Sequence, residues 1–311
     1  MANDAAVTVE EIVDRIEAWR GKPISIRPLT NGLTNSNYRV DVGGQAFVVR
    51  IPGASTDLLA IDRASELHSS RVAARLGIGP AVLHHFSDSG ATVMEFLHGR
   101  PMTNQTLSEP GMPDRIAATL RVLHRGPPFL RDFDMLGLAE GYRAVIERRG
   151  FPEPQGYRGR RSAIRVIGES LGAHPLGRVP CHNDLLADNY IEQGDRLRLV
   201  DWEYSGNGDP AFELGNTCRE LDYDDARLRE LCQAYFGRAP ESLVARVHLH
   251  MIVSDVGWTL WAAIQTGISR IAFDFAAYGA ARWARAGAAM DSTEFPRWID
   301  AAARPAPEGF P

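Results

Sequence analysis

Cysteine is scarce in this chain: Cys181, Cys218 and Cys232 are the only three, and none lies in a CxxC pair. That excludes a disulfide framework and a cysteine zinc site, and it reads as reduced thiols in a cytoplasmic protein. Long apolar runs are also missing. Nothing approaches the roughly 20 residues needed to cross a bilayer, so no membrane partner is expected. The opening segment MANDAAVTVEEIVDRIEAW lacks the basic start and apolar middle of a signal peptide. No Lys/Arg run offsets the formal net charge of −5, which argues against nucleic acid as the main partner. No internal repeat, no GxxxxGKS/T loop and no GxGxxG occurs. What remains is ordinary for a globular protein: 311 residues, 44% hydrophobic and 23% charged, enough for two lobes with separate cores.

The pattern along the chain divides near residue 98. Thr8 and Glu11 form a capping box for a helix expected to run through Trp19, stopped by Gly21 and Pro23. Strands are expected at 25–29, 36–42 and 45–51, the last two joined by Gly43-Gly44, with a helix at 58–76 closed by Gly77. Two more strands, 81–86 and 91–96, flank a Ser-Asp-Ser-Gly turn. Beyond residue 98, helical periodicity takes over at 113–124, 140–149, 162–173, 224–236, 240–265 and 272–290, with a Pro/Gly-rich break at 150–159. The tail after Pro305 is expected to be loosely ordered. This gives an α+β, bilobal chain: residues 1–98 as a small β-rich lobe with one main helix, and 99–311 as a larger, mostly helical lobe.

Chemistry concentrates in CHNDLLADNYIEQGDRLRLVDWEY, residues 181–204. An isolated aspartate is usually a helix cap or a turn residue. Here Asp184, five residues before Asn189, is followed by a short hairpin turning at Gln193, Gly194 and Asp195, which delivers Asp201 at the end of a buried strand. That order suits phosphoryl transfer: Asp184 accepts a hydroxyl proton as catalytic base, while Asn189 and Asp201 hold magnesium against ATP phosphates. His182 is assigned a structural role, orienting this loop.

Other segments gain meaning from that site. LTNGLTNSNYRV, residues 29–40, offers Asn31, Gly32, Thr34, Asn35 and Asn37 as a loop over phosphates, Gly32 being expected to permit a positive φ. By itself it would be a polar hairpin turn. Arg50 ends a strand and Glu66 sits on the next helix, an arrangement like the lysine–glutamate pair of kinases; Arg63 is an alternative partner for Glu66. In VMEFLHG, residues 93–99, backbone groups from Glu95 to Leu97 are placed to read an adenine edge, with Met94 and Leu97 flanking the ring. Trp258 and Trp261 share a helix face, with Tyr278 further along and Tyr204 three residues past Asp201. Aromatics at such spacing are more often core than cage, but faces of Trp and Tyr also bind quaternary ammonium. Glu203 or Asp255 would add charge complementarity.

HNDLLADN, LVDWEYSGNGDPAFELGN and WTLWAAIQTGISRIAFDFAAYGAARW resemble the choline/ethanolamine kinases of the aminoglycoside-phosphotransferase, protein-kinase-like fold, over roughly residues 28–290. The resemblance implies Asp184 as base, Asn189 and Asp201 as magnesium ligands, Arg50 as the strand cation, and Tyr204, Trp258, Trp261 and Tyr278 as a choline cage. The W-x-x-W-x-x-x-Q segment is its most choline-specific part. Segment 205–216 departs by being compact, with Tyr223 alone representing the bulky aromatics that follow it in eukaryotic choline kinases. The expected function is ATP- and magnesium-dependent phosphorylation of a small amino-alcohol, choline foremost. The alternatives are ethanolamine, an aminoglycoside-like substrate, or a catalytically silent choline-binding module. Assembly is left open, a homodimer included.

Overall fold

A computed structural model describes residues 7–29, 32–53 and 56–306. The N-terminal lobe is a five-stranded antiparallel sheet of order β1-β2-β3-β5-β4: β1 Ile24–Leu29, β2 Ser36–Val42, β3 Gln45–Ile51, β4 Val82–Phe86 and β5 Ala91–Glu95. Gly43 and Gly44 take φ 57° and 88°, the two positive values that a tight hairpin turn between β2 and β3 requires. Against one sheet face packs α1, Val9–Asp14, its Val9, Ile12 and Val13 side meeting Val40, Val49 and Val93.

Two helical expectations shorten here. The first helix stops at Asp14, and a separate 3-10 turn, Glu17–Trp19, swings Trp19 back into the same core. The helix expected at 58–76 starts only at Arg63 as α2, Arg63–Arg75, because Asp62 caps it through the Ser65 amide; Thr56–Leu59 is a 3-10 turn. Gly77, at φ 72°, ends the helix region as expected. The chain then crosses by residues 96–99 into β6, Arg100–Pro101.

The second lobe is built on α3 Asn104–Leu107, α4 Met112–His124, α5 Met135–Arg149, α6 Tyr157–Ala173, α7 Pro210–Glu220, α8 Asp225–Phe236, α9 Glu241–Ile268, α10 Phe275–Met290 and α11 Phe295–Ala302. α9 is the hub: α5, α7, α10 and α11 all pack on it, which explains why its residues are apolar nearly all round. α5 and α6 each begin five residues before the apolar periodicity does. Two short β units stand among these helices. β8 Tyr190–Gln193 and β9 Arg196–Leu199 form the expected hairpin, with β6 on its outer edge, and β7 Val179–Cys181 pairs with β10 Gly206–Gly208. α3, α7, α11 and the strands β6, β7 and β10 are not among the elements expected from the sequence. They are pieces of two to eleven residues whose exposure pattern is set by neighbours rather than by their own periodicity.

Candidate active site

The β8–β9 hairpin sets the site's geometry. Its register pairs Tyr190 with Leu199, and the Val200 amide donates to the Asn189 carbonyl at 3.0 Å. Asn189 and Asp201 are thereby placed at the open end of one hairpin. Asp184 lies in the loop leaving β7. The Asn189 side-chain amide donates to the Asp184 carbonyl at 2.8 Å, which leaves its Oδ1 as the free donor atom. Together with the Asp201 carboxylate this is an all-oxygen set, the chemistry that suits magnesium rather than a thiophilic metal.

Two backbone positions are held in the left-handed region, Asn183 at φ 69° and Asp201 at φ 69°. Asn and Asp tolerate it better than other side-chain-bearing residues, and such strain persists only where neighbours over-determine it. They do. The buried Glu213 carboxylate accepts from the His182 amide at 2.9 Å and the Asn183 amide at 2.8 Å, and it contacts His124 Nε2 at 2.9 Å. Asn183 Nδ2 donates to the Tyr204 carbonyl at 3.0 Å, and the Leu185 amide to Asn216 Oδ1 at 2.9 Å. His182 Nε2 lies 2.9 Å from the Val200 carbonyl, while its Nδ1 accepts from the Asp184 amide at 3.3 Å. The ring is thus a neutral spacer tying the two halves of the site, and burial lowers its pKa. Glu213, Asn216 and Asn183 are functional supports that sequence reasoning missed. The available signal was Asp209-Pro210, a cap followed by an N1 proline that announces α7.

Across the cleft, Arg50 Nη1 bonds Glu66 Oε1 at 2.9 Å and Asp201 Oδ1 at 2.8 Å, and its Nε reaches Asn37 Oδ1 at 3.1 Å. Burial alone would lower Arg50's pKa, but Asp201, Glu66 and Glu203 outweigh it and raise it. Glu66 accepts from both candidate cations, since Arg63 Nη1 holds its other oxygen at 2.6 Å. Gly32 does not adopt the positive φ expected of it. Its role is close approach: a Cβ there would stand 2.6 Å from the Asn35 carbonyl oxygen. Gly53 is tighter still, since a Cβ there would collide with the Thr34 carbonyl oxygen. Asn35 is turned away from the cleft, donating to Glu203 at 2.8 Å and accepting from Arg63 at 3.0 Å. Asn31 lies outside the described residues.

Two cavities meet here. One is lined by Val48, Met94, Leu97, Ile191 and Val200, with Glu95 at its edge and Arg50 and Asn37 at its inner end. The other, about 490 Å³, is lined by Asp184, Glu203, Tyr204, Trp258, Trp261 and Tyr278, within the size of small-molecule sites. Gly32, Asp188, Asn189 and Asp201 line both. Trp261 Nε1 donates to the Tyr204 hydroxyl at 2.7 Å, and the Tyr204 ring stands edge-on to Trp258 at 4.9 Å. Ile271 and Phe273, in the loop between α9 and α10, also line this cavity and were not singled out in the sequence. Burial, with Asp201 adding to it, pushes the Asp184 carboxyl well above the usual range. Glu203 rises to about 7 for the same two reasons.

Asp255 is not where the sequence placed it. It is fully buried outside the cavity, ion-paired with Arg219 at 2.9 Å and accepting a hydrogen bond from Arg285 at 2.7 Å. Tyr223 is likewise buried away from the cavity, its hydroxyl bonded to the Leu107 carbonyl. The three cysteines are free and buried. Among the described residues no helix is long and apolar enough to cross a membrane.

A β-lobe and a helical lobe meeting at a carboxylate- and asparagine-lined cleft define a protein-kinase-like phosphotransferase, and residues 25–250 match the phosphotransferase enzyme family. Within it the chain belongs to the choline/ethanolamine kinase family. It is 33% identical to a choline/ethanolamine kinase family protein from Mesorhizobium loti, with a TM-score of 0.82 over 94% of this chain and 96% of that one. Mouse ethanolamine kinase 1 is 29% identical, the match covering 85% of this chain and 84% of that protein. Choline kinase LicA from Streptococcus pneumoniae, at 23% identity, shares the fold with a TM-score of 0.79 over 90% of this chain and 98% of that one.

Proposed function

We propose that this kinase phosphorylates the hydroxyl of a small amino-alcohol, choline foremost, with ATP as donor and magnesium as metal. The observation that carries the reading is the aromatic cavity of Tyr204, Trp258, Trp261 and Tyr278, which opens beside Asp184 and shares Asn189 and Asp201 with the second cleft. An ammonium group against those rings is held by cation–π attraction, with its hydroxyl directed at Asp184. Asp184 accepts the hydroxyl proton as the oxygen attacks phosphorus. Asn189 and Asp201 hold the metal, which when bound screens the phosphate oxygens and favours the ionised form of Asp184. Arg50, fixed by Glu66 and Asn37, faces the phosphates; Gly32, common to both cavities, lies over them, while Thr34 lines the amine cavity; the backbone between Glu95 and Leu97 meets the adenine.

Ethanolamine is a second reading with its own support. Glu203 borders the cavity and would accept a hydrogen bond that a primary ammonium can donate and a trimethylammonium cannot. Phosphorylation measured by coupled ADP release, with choline, ethanolamine and an aminoglycoside, decides among them. Choline turnover that Asp184→Asn reduces by about 10²–10⁴-fold, with nucleotide binding retained, is the expected result. Choline binding without turnover of any amine would instead make the chain a binding module.

A further inference from the structure

Tyr278 lines the amine cavity, yet the group against its ring is a cation of the protein itself. The Arg282 guanidinium carbon stands 4.3 Å from the Tyr278 ring centroid, one helical turn along α10. Arg282 does not line the cavity, so the ring separates its charge from the space an ammonium would enter. It is 5% exposed. Glu220, at the end of α7, holds it through two bonds: Nη1 to Oε1 at 2.7 Å and Nη2 to Oε2 at 2.6 Å. Asp255 Oδ1 lies 3.6 Å from Nη1, but that carboxylate also serves Arg219 and Arg285. Arg285 in turn reaches the exposed Asp222 at 3.2 Å. Three cations therefore face three carboxylates, and Glu220 is the one that neutralises Arg282 directly.

A bare guanidinium on the far side of a cage ring would oppose a cation on the near side. We infer that Glu220 and Arg282 are positioning residues that set the selectivity of the cavity for a charged amine: Arg282 fixes the Tyr278 ring, and Glu220 cancels the positive charge behind it. This rests on the proposed amino-alcohol reading. Charge acts on a cation and leaves a neutral molecule of the same shape untouched. A loosened ring also forfeits cation–π attraction, but it would move the ratio the same way in either variant, whereas removing one charge or the other moves it in opposite directions.

The test compares choline with its uncharged carbon isostere, carbon replacing nitrogen, as alternative substrates of the full chain, recording KM, kcat and the selectivity ratio. Glu220→Gln should lower the choline-over-isostere ratio by roughly tenfold, through KM, leaving the KM for ATP unchanged. Arg282→Met should move the ratio in the opposite direction, and the double variant should return it near the wild-type value. If Glu220→Gln does not fold, Arg282→Met and the double variant carry the same comparison. A ratio unmoved in the single variants, or moved the same way by both, overturns the inference and leaves a purely structural ion pair. Wild-type protein that turns over no amino-alcohol overturns the proposed function and this inference with it.

Discussion

At the scale of single residues, the site depends on polar groups satisfied away from water. Trp261 donates its only N–H to the Tyr204 hydroxyl, and both residues are buried. Tyr204→Phe keeps the ring and strands that N–H, at a cost of about 1–3 kcal/mol. Thermal unfolding should show that loss, and the KM for the amine should rise while the KM for ATP stays put. An unchanged melting temperature would mean that water or another group satisfies Trp261. Asp184, Asn189 and Asp201 were recognisable in the sequence because their spacing is local: a loop and one hairpin bring them together. Asp255 was misplaced because helical spacing shows that it lies one turn from Trp258 but says nothing of which neighbour that face meets.

At the scale of elements, α7 is a helix that the sequence reading did not assign, noting only that segment 205–216 is compact, and it carries the supports of the Asp184 loop. Asn216 accepts from the Leu185 amide and donates to Ser254 of α9 at 3.0 Å, so one side chain ties loop, α7 and α9 together. Asn216→Ala leaves the buried Leu185 amide without that acceptor. The expected result is a stability loss of about 1–3 kcal/mol and a fall in kcat of up to about 10²-fold as Asp184 shifts, with substrate KM values little changed. Steady-state kinetics beside a denaturant titration separate the two effects. The β8–β9 hairpin was read correctly in outline because Gly194, at φ 61°, marks its turn and the flanking strands are short, with β9 alternating Arg196 and Arg198 with the buried Leu197 and Leu199.

At the scale of the whole molecule, the lobes are stitched by charged groups around Glu203, which takes Asn35 at 2.8 Å and Arg63 at 3.3 Å from the N-terminal lobe. Its carboxyl titrates at about 7 in the folded chain against 4.5 ordinarily, chiefly through burial. A raised folded-state value contributes stability that is complete below the unfolded pKa and lost as pH rises through about 7. Metal-free wild-type protein should therefore lose stability relative to Glu203→Gln between about pH 4.5 and 7, by up to about 3 kcal/mol, with no further loss above that. Denaturation midpoints across that range check it, and parallel curves for the two proteins would contradict it. Asp209 acts in the other direction. Burial opposes its ionisation, but His250 and Arg246 overcome that and depress its pKa, so its contribution is lost only in acid.

The sequence by itself determined the reaction class, because the proposed base, Asp184, and the proposed metal ligands, Asn189 and Asp201, stand at spacings that one loop and one hairpin enforce. It also determined the sheet turns, where glycine alone makes the required φ inexpensive. Which partner each buried charge would find was decided only by the tertiary structure. Asn35 meets Glu203 across 168 positions, and Arg282 meets Glu220 across 62. A helix shows in its sequence which face is apolar, but the packing of α7, α9 and α10 decides which charges lie behind the aromatic wall. Burial then makes that choice matter, since a charge removed from water must be matched where it stands.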